Sequence, residues 1–266
     1  MIGCIVQARM GSSRLPNKVL MKIMNNDTML DFVINQLRSS NHLDEIIIAT
    51  TDLSTDDKIV EHIKKKQVKF FRGSEKDVLS RYYDCAKYFS LDIIVRITAD
   101  CPLTDPQILD YLLQKFIDGN YDFISPGFPR SFPQGSADIE IFSFNALEKM
   151  KNEAKKPSER EHVCTYIYNH PEKFKIHTIP NNLNFSNLKW SVDREPDLKF
   201  VQEVVKKIPK RPILTDDILN LLKNNPELVQ INKNSILEEG YKKSIKEDQK
   251  LGFTNDSDLK NYKILD

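Results

Sequence analysis

Ile2-Gly3-Cys4-Ile5-Val6-Gln7-Ala8-Arg9-Met10-Gly11-Ser12-Ser13-Arg14-Leu15-Pro16-Asn17-Lys18-Val19-Leu20 decides the architecture of this chain. The apolar run from Ile2 to Val6 predicts a buried strand. It breaks into a loop of small residues that carries Arg9, Arg14 and Lys18. Free backbone N–H groups, two hydroxyls and three cations at the end of a strand are what a polyphosphate needs. In an open α/β sheet, a loop leaving the carboxyl end of the first strand is also where ligands bind. Neither G-x-x-x-x-G-K-[ST] nor G-x-G-x-x-G is present, so the phosphate loop is of another kind. The competing reading is a basic surface loop that serves solubility alone.

Working outward, apolar and amphipathic segments alternate. Leu30, Val33, Ile34 and Leu37 recur at helical spacing behind Asp27-Thr28, an N-cap signal. Glu45–Thr51 predicts a second buried strand, and Ser54 caps a helix carrying Ile59, Val60 and Ile63. Val68 to Phe71 is a third strand that ends in Arg72-Gly73-Ser74. Leu79, Tyr82, Ala86 and Phe89 mark a helix, and Ile93 to Ile97 a fourth strand leading into Ala99-Asp100-Cys101-Pro102. This alternation predicts a mostly parallel sheet covered on both faces.

Beyond residue 120 the pattern loosens. Tyr121–Ser125, Asp138–Phe142 and Leu188–Val192 read as strands, and 158–169 as one helix with Ser158 as cap and Glu161 in the box position. The loop 126–135, rich in proline and glycine, is a structured excursion that serves either as a substrate wall or as a dimer contact. Helical signals return at 215–224 and 240–250, and the final fifteen residues fray or dock on a partner.

Composition narrows the function. The chain has 266 residues and a formal net charge of +1, with no general pull toward nucleic acid or anionic membrane. No transmembrane span and no signal peptide are read from it, which points to a cytoplasmic protein. Cys4, Cys85, Cys101 and Cys164 show no C-x-x-C pairing and read as reduced thiols.

In a parallel sheet the loops 8–18, 50–52, 72–78 and 98–102 share one edge. They bring Arg9, Arg14, Lys18 and Arg72 against Asp52, Asp77 and Asp100. Cations beside isolated carboxylates suggest a nucleoside triphosphate with Mg²⁺, which takes only one or two protein carboxylates. No hydrolytic triad and no histidine metal spacing is present. Nucleotidyl transfer to a carboxylate or phosphate needs no general base, because the nucleophile is already ionised at pH 7. The protein then has only to align it with the α-phosphorus and neutralise the leaving pyrophosphate.

The opening motif resembles that of the CMP-sugar synthetases, the cytidylyltransferases that activate Kdo and sialic-type acids. Gln7-Ala8-Arg9 is similar to the spore-coat-polysaccharide (SpsF-type) branch. Further matches are Glu45–Thr51, Phe71–Tyr82, Val95–Pro102, Ser158–Val163, Trp190–Asp193 and Glu239–Ser244, spanning almost the whole chain in order. The resemblance implies a Rossmann-like nucleotidyltransferase (GT-A-like) α/β fold over residues 1–208, with a small C-terminal helical appendage over 209–266. It implies that Ala8, Arg9, Gly11, Ser12, Ser13, Arg14 and Lys18 hold the triphosphate of CTP. Thr51, Asp52, Arg72, Gly73, Ser74 and Ala99 then flank the nucleoside. Asp100 and Asp193 are the Mg²⁺ carboxylates, and Arg14, Lys18 and Asp100 are the catalytic set. Glu140, Arg130, Arg160 and His162 face the acceptor, a small anion. For Asp193 the competing role is a helix cap, and for Arg160 a salt bridge to Glu159 or Glu161. A homodimer is expected. The alternative is a nucleotide-sugar-dependent glycosyltransferase, although Ala99-Asp100-Cys101 lacks the second carboxylate of an Asp-x-Asp. A degenerate nucleotide-binding partner of another enzyme is a third reading.

Overall fold

Six consecutive residues, Ile2–Gln7, form strand β1 at the middle of the molecule. A computed structural model describes residues 1–127 and 130–253. β1 pairs in parallel with β4 (Glu45–Thr51) on one side and β6 (Ile93–Thr98) on the other. β5 (Lys69–Gly73) continues the parallel set outward from β4. Beyond β6 a single strand runs against the rest: β8 (Glu140–Ser143) is antiparallel to β6 and to β7 (Phe123–Ser125), and β9 (Ile176–Thr178) is parallel to β7. The seven strands lie in the order β5-β4-β1-β6-β8-β7-β9. A separate ribbon joins β2 (Lys22–Met24) to β3 (Asp27–Thr28).

Side chains alternate across this sheet, and each face is sealed by helices. Cys4, Val6, Ile48 and Val95 pack under helices α1 (Met29–Leu37), α2 (Asp57–Lys65) and α4 (Pro106–Gly119). Ile5, Ile47 and Ile94 pack under α3 (Val78–Tyr88) and α5 (Phe144–Glu153). A third cluster joins Leu15, Met29 and Phe32 to Trp190 and to helices α8 (Glu195–Lys207) and α9 (Thr215–Asn224). The segment after residue 208 is therefore docked on the body. Gln36 reinforces this, donating to Ile213 O at 2.6 Å and accepting from Ile213 N at 2.9 Å.

Three expectations are corrected. Leu188–Val192 is extended but is not a strand. Its backbone pairs with loops, Trp190 N to Gln134 O at 2.6 Å and Val192 N to Asp100 O at 2.8 Å. The helix at 158–169 is two, α6 (Pro157–His162) and α7 (Thr165–Asn169), because Val163 turns to φ 58°. Ser158 does not cap it. Glu159 accepts the amides of Lys155 and Lys156, each at 3.1 Å, and Ser158 is held by Asp248 instead. The last helix, α10 (Glu239–Lys250), supplies Asp248 and packs on α6. The final residues, read above as fraying or docking, lie outside the described residues from 254 onward, as do 128 and 129 in the excursion.

Candidate active site

Because β1 sends the chain to one side and β6 returns on the other, the loops leaving both strands open onto one crevice. The loop after β1 folds on Met10, whose carbonyl accepts Ser12 N at 2.8 Å and Asn17 N at 3.2 Å. Asn17 sits at φ 61°, a conformation asparagine tolerates well. That turn sends Lys18 inward, where its side chain is buried.

The Lys18 ammonium donates to Asp100 Oδ2 at 2.7 Å, to Val192 O at 2.7 Å and to Asp193 Oδ1 at 3.2 Å. Two carboxylates ninety-three positions apart thus meet at one cation. Arg14 adds a bond to Asp193 Oδ1 at 2.7 Å and reaches Glu239 at 3.2 Å. Lys189, buried behind them, binds Asp193 Oδ2 at 3.0 Å and Asp197 at 2.7 Å. The helix-cap role allowed for Asp193 belongs to Asp197, which accepts the amides of Asp193 and Arg194 at 3.0 Å each.

Burial pushes the Asp100 carboxyl up, and the Lys18 ammonium more than reverses this, so the acid titrates below its usual range. Burial acts the same way on Asp193, and Lys18, Lys189 and Arg14 hold it well below that range. Burial alone lowers Lys18, while the two carboxylates raise it above an ordinary lysine. All three groups are charged at neutral pH. Among the described residues, no third histidine, cysteine or carboxylate joins them in a closed metal cage.

Beside these charges lies a cavity of about 350 Å³. Arg130, Glu140 and His162 line it; Arg160 does not. Glu140 pairs across the β6–β8 ladder with Arg96. Arg130 pairs with Asp138 and reaches Glu238 at 3.5 Å. Arg96 Nε, Gln7 Oε1 and Ser191 Oγ are buried without a hydrogen-bond partner within the protein, and all three residues line the cavity. Arg160 is turned the other way. It donates to both oxygens of Asp77 and to Ser80 Oγ at 2.8 Å, tying α6 to the start of α3. Neither salt bridge expected for it, to Glu159 or Glu161, forms.

On the other flank, Ala8 and Ala99 are buried at the strand ends, and Gly11 and Ser13 face solvent with Ser12 half-buried between them. Arg9 is exposed, 4.0 Å from Glu161. Arg72 donates to Thr51 O at 2.9 Å and Leu53 O at 2.8 Å and pairs with Asp57 at 2.6 Å, which fixes the rim formed after β4. Asp52 N donates to Gly73 O at 3.0 Å, and Ser74 O accepts from the buried Arg81. Sequence reading missed Arg96, Asp138, Lys189, Glu238 and Glu239. Arg96 carried a signal, a charge inside the apolar run Ile93 to Ile97. Glu239 carried one as the first residue of the Glu239–Ser244 match; the others carried none.

A family profile described as cytidylyltransferase matches residues 3–246. An uncharacterized protein of Methanocaldococcus jannaschii, MJ1063, is 38% identical over 86% of this chain and 93% of its own length. The spore coat polysaccharide biosynthesis protein SpsF of Bacillus subtilis is 31% identical over 84% of this chain and 94% of its own. Among solved structures, a cytidylyltransferase of Leptospira borgpetersenii is 36% identical and superposes with a TM-score of 0.82, covering 86% of this chain and 96% of that one. A CMP:2-keto-3-deoxy-manno-octonic acid synthetase complexed with CTP shares the fold at 16% identity, with a TM-score of 0.61 over 77% of this chain and 98% of that one. This chain belongs to the cytidylyltransferase family and is a nucleotidyltransferase enzyme.

Proposed function

We propose that the enzyme is CTP- and Mg²⁺-dependent and joins CMP to an anionic acceptor, a sugar acid or a small phosphorylated acid or phosphonate, releasing pyrophosphate, for surface polysaccharide synthesis. The observation that carries this reading is the convergence of Asp100 and Asp193 on one cation, between the basic loop after β1 and the cavity. A pair of carboxylates already gathered around an ammonium suits Mg²⁺, whose remaining positions go to phosphate and water. When bound, the metal neutralises charge on the triphosphate.

Arg9, Arg14, Lys18 and the amides of Arg9, Gly11 and Ser13 take the triphosphate, those of Ala8, Met10 and Ser12 being bonded within the protein. Thr51, Asp52, Arg72, Gly73, Ser74 and Ala99 flank the nucleoside. The acceptor enters the cavity beside Arg130, Glu140 and His162. An unpartnered donor at Arg96 and an unpartnered acceptor at Gln7 favour a hydroxylated acid over a bare anion. Its oxygen is ionised at pH 7, so alignment and charge stabilisation suffice.

Pyrophosphate release from each of the four nucleoside triphosphates, with and without Mg²⁺ and a panel of sugar acids, phosphorylated acids and phosphonates, tests this. Release is expected from CTP alone, only with Mg²⁺ and an acceptor. Equal release from all four nucleotides overturns the cytidylyl assignment.

A further inference from the structure

Asp56 is 1% exposed, and all the hydrogen bonds it accepts come from two segments that flank the proposed nucleotide site. Its Oδ1 accepts Met10 N at 2.8 Å. Its Oδ2 accepts Thr50 Oγ1 at 3.0 Å, Thr51 N at 3.2 Å and Thr51 Oγ1 at 2.5 Å. Met10 is the residue on which the phosphate loop closes, since its carbonyl carries the amides of Ser12 and Asn17. Thr50 and Thr51 end β4, beside the rim built by Arg72. One buried carboxylate therefore fastens the root of the phosphate loop to the root of the nucleoside rim.

The backbone offers only a lighter link between these segments, Ala8 N to Ala49 O at 3.1 Å, inside the sheet. What joins them past that bond is one carboxylate with four donors. The carboxylate touches neither the cavity nor the Asp100–Asp193 pair. It occupies no position from which it meets substrate.

We propose that Asp56 is a positioning residue that holds the phosphate loop and the nucleoside rim at the spacing of one nucleoside triphosphate. This rests on the reading of the site as a CTP site. A ligand that spans both segments gains affinity from their fixed spacing, because its second half binds at a high effective concentration. A ligand that touches one segment gains nothing. Loss of Asp56 therefore penalises CTP selectively and leaves its halves alone.

Titration calorimetry with Mg²⁺ measures CTP, CMP and pyrophosphate on the wild-type chain and on Asp56→Asn, an isostere that cannot accept from all four donors. The expected result is a loss of CTP affinity of about tenfold or more, with CMP and pyrophosphate each within about threefold of wild type. Unchanged CTP affinity, or an equal fall for CTP and for either half in the folded variant, overturns the proposal. Should Asp56→Asn fail to fold, Thr50→Val carries the same test. It deletes one donor to Asp56 from a residue outside the proposed site, and a smaller but still CTP-selective loss is expected, with none overturning the proposal. A wild-type chain that does not bind CTP overturns the functional reading instead, so the two failures are distinct.

Discussion

The charge balance around Lys18 is the feature of this site most exposed to test at the level of single residues. Its ammonium lies where two carboxylates meet, so deleting it leaves like charges facing each other in a partly buried place. Lys18→Met is expected to unfold at lower temperature than wild type in metal-free buffer. Added Mg²⁺ should restore part of that loss, because the ion takes the place of the ammonium and binding to the folded state raises stability. Thermal unfolding with and without Mg²⁺ checks this, and equal shifts for variant and wild type would show that the carboxylates do not form a cation site. Lys18 itself was legible, since it ends a basic loop that ends a strand. Asp193 was not legible from spacing and came only from the resemblance. Its four-residue distance from Asp197 hid which of the two capped the helix. Lys189 was invisible for a related reason: a lysine beside a tryptophan reads as surface until tertiary contacts bury it.

Among the elements, the parallel strands and the helices between them were read to within a residue or two, except that α2 starts after Asp56 and not at a Ser54 cap. β1 and β4 carry long apolar runs, and each intervening helix carries its own periodicity. The failures cluster where pairing is not set by pattern. Helix α4 was missed although the sequence marks its start, with Asp105 accepting the amides of Gln107 and Ile108 ahead of Pro106 in the first turn. Segment 188–192 was read as a strand because its alternation is right, but it meets loop backbone around Gln134 rather than a neighbouring strand. Gly135 makes that crossing possible. Its φ is +97°, and a Cβ there would lie 2.4 Å from Ser191 N. Gly135→Ala is expected to cost more than the roughly 1–3 kcal/mol of backbone strain alone. Gly127→Ala is the control, with φ +98° but its nearest contact at 3.4 Å, so it should carry the strain without the collision. Denaturant unfolding of both variants decides the point, and equal losses would mean that the close approach to Ser191 is not what requires glycine.

For the molecule as a whole, the seam between α6 and α10 links stability to pH. His162 donates to Ser244 Oγ at 3.0 Å, Ser244 donates to Glu161 at 2.7 Å, and Tyr241 lies edge-on with ring centroids 5.5 Å apart. Burial pushes the imidazole down to about 4, against an ordinary value near 6.5. Between those values the unfolded chain binds the proton and the folded chain refuses it. Stability is therefore intact above about pH 6.5 and declines as pH falls toward 4, by up to about 3 kcal/mol. Unfolding free energies across that window should show the slope, and His162→Gln should flatten it; a slope unchanged by the substitution would place its origin in other groups. Sequence reading found the helix of this seam but not its destination, because docking of α10 depends on Asp248 meeting Ser158 ninety positions away. The reversal of strand direction between β6 and β8 carries a consequence for recombination among relatives. β1, β4, β5 and β6 all precede residue 104, while β7, β8 and β9 all follow it, and the two sets join through a backbone ladder that most side chains do not alter. Chimeras crossed over in the turn after β6 inherit that ladder whole. They must import as matched sets the ion pairs that bridge the junction: Arg96 with Glu140, Arg14 and Lys18 with Asp193, Arg14 with Glu239, Arg160 with Asp77 and Arg9 with Glu161. The chain is a two-part cassette whose compatibility is written in the ion pairs that cross this junction, so a library that keeps them can vary the rest of the cavity wall against a constant phosphate loop.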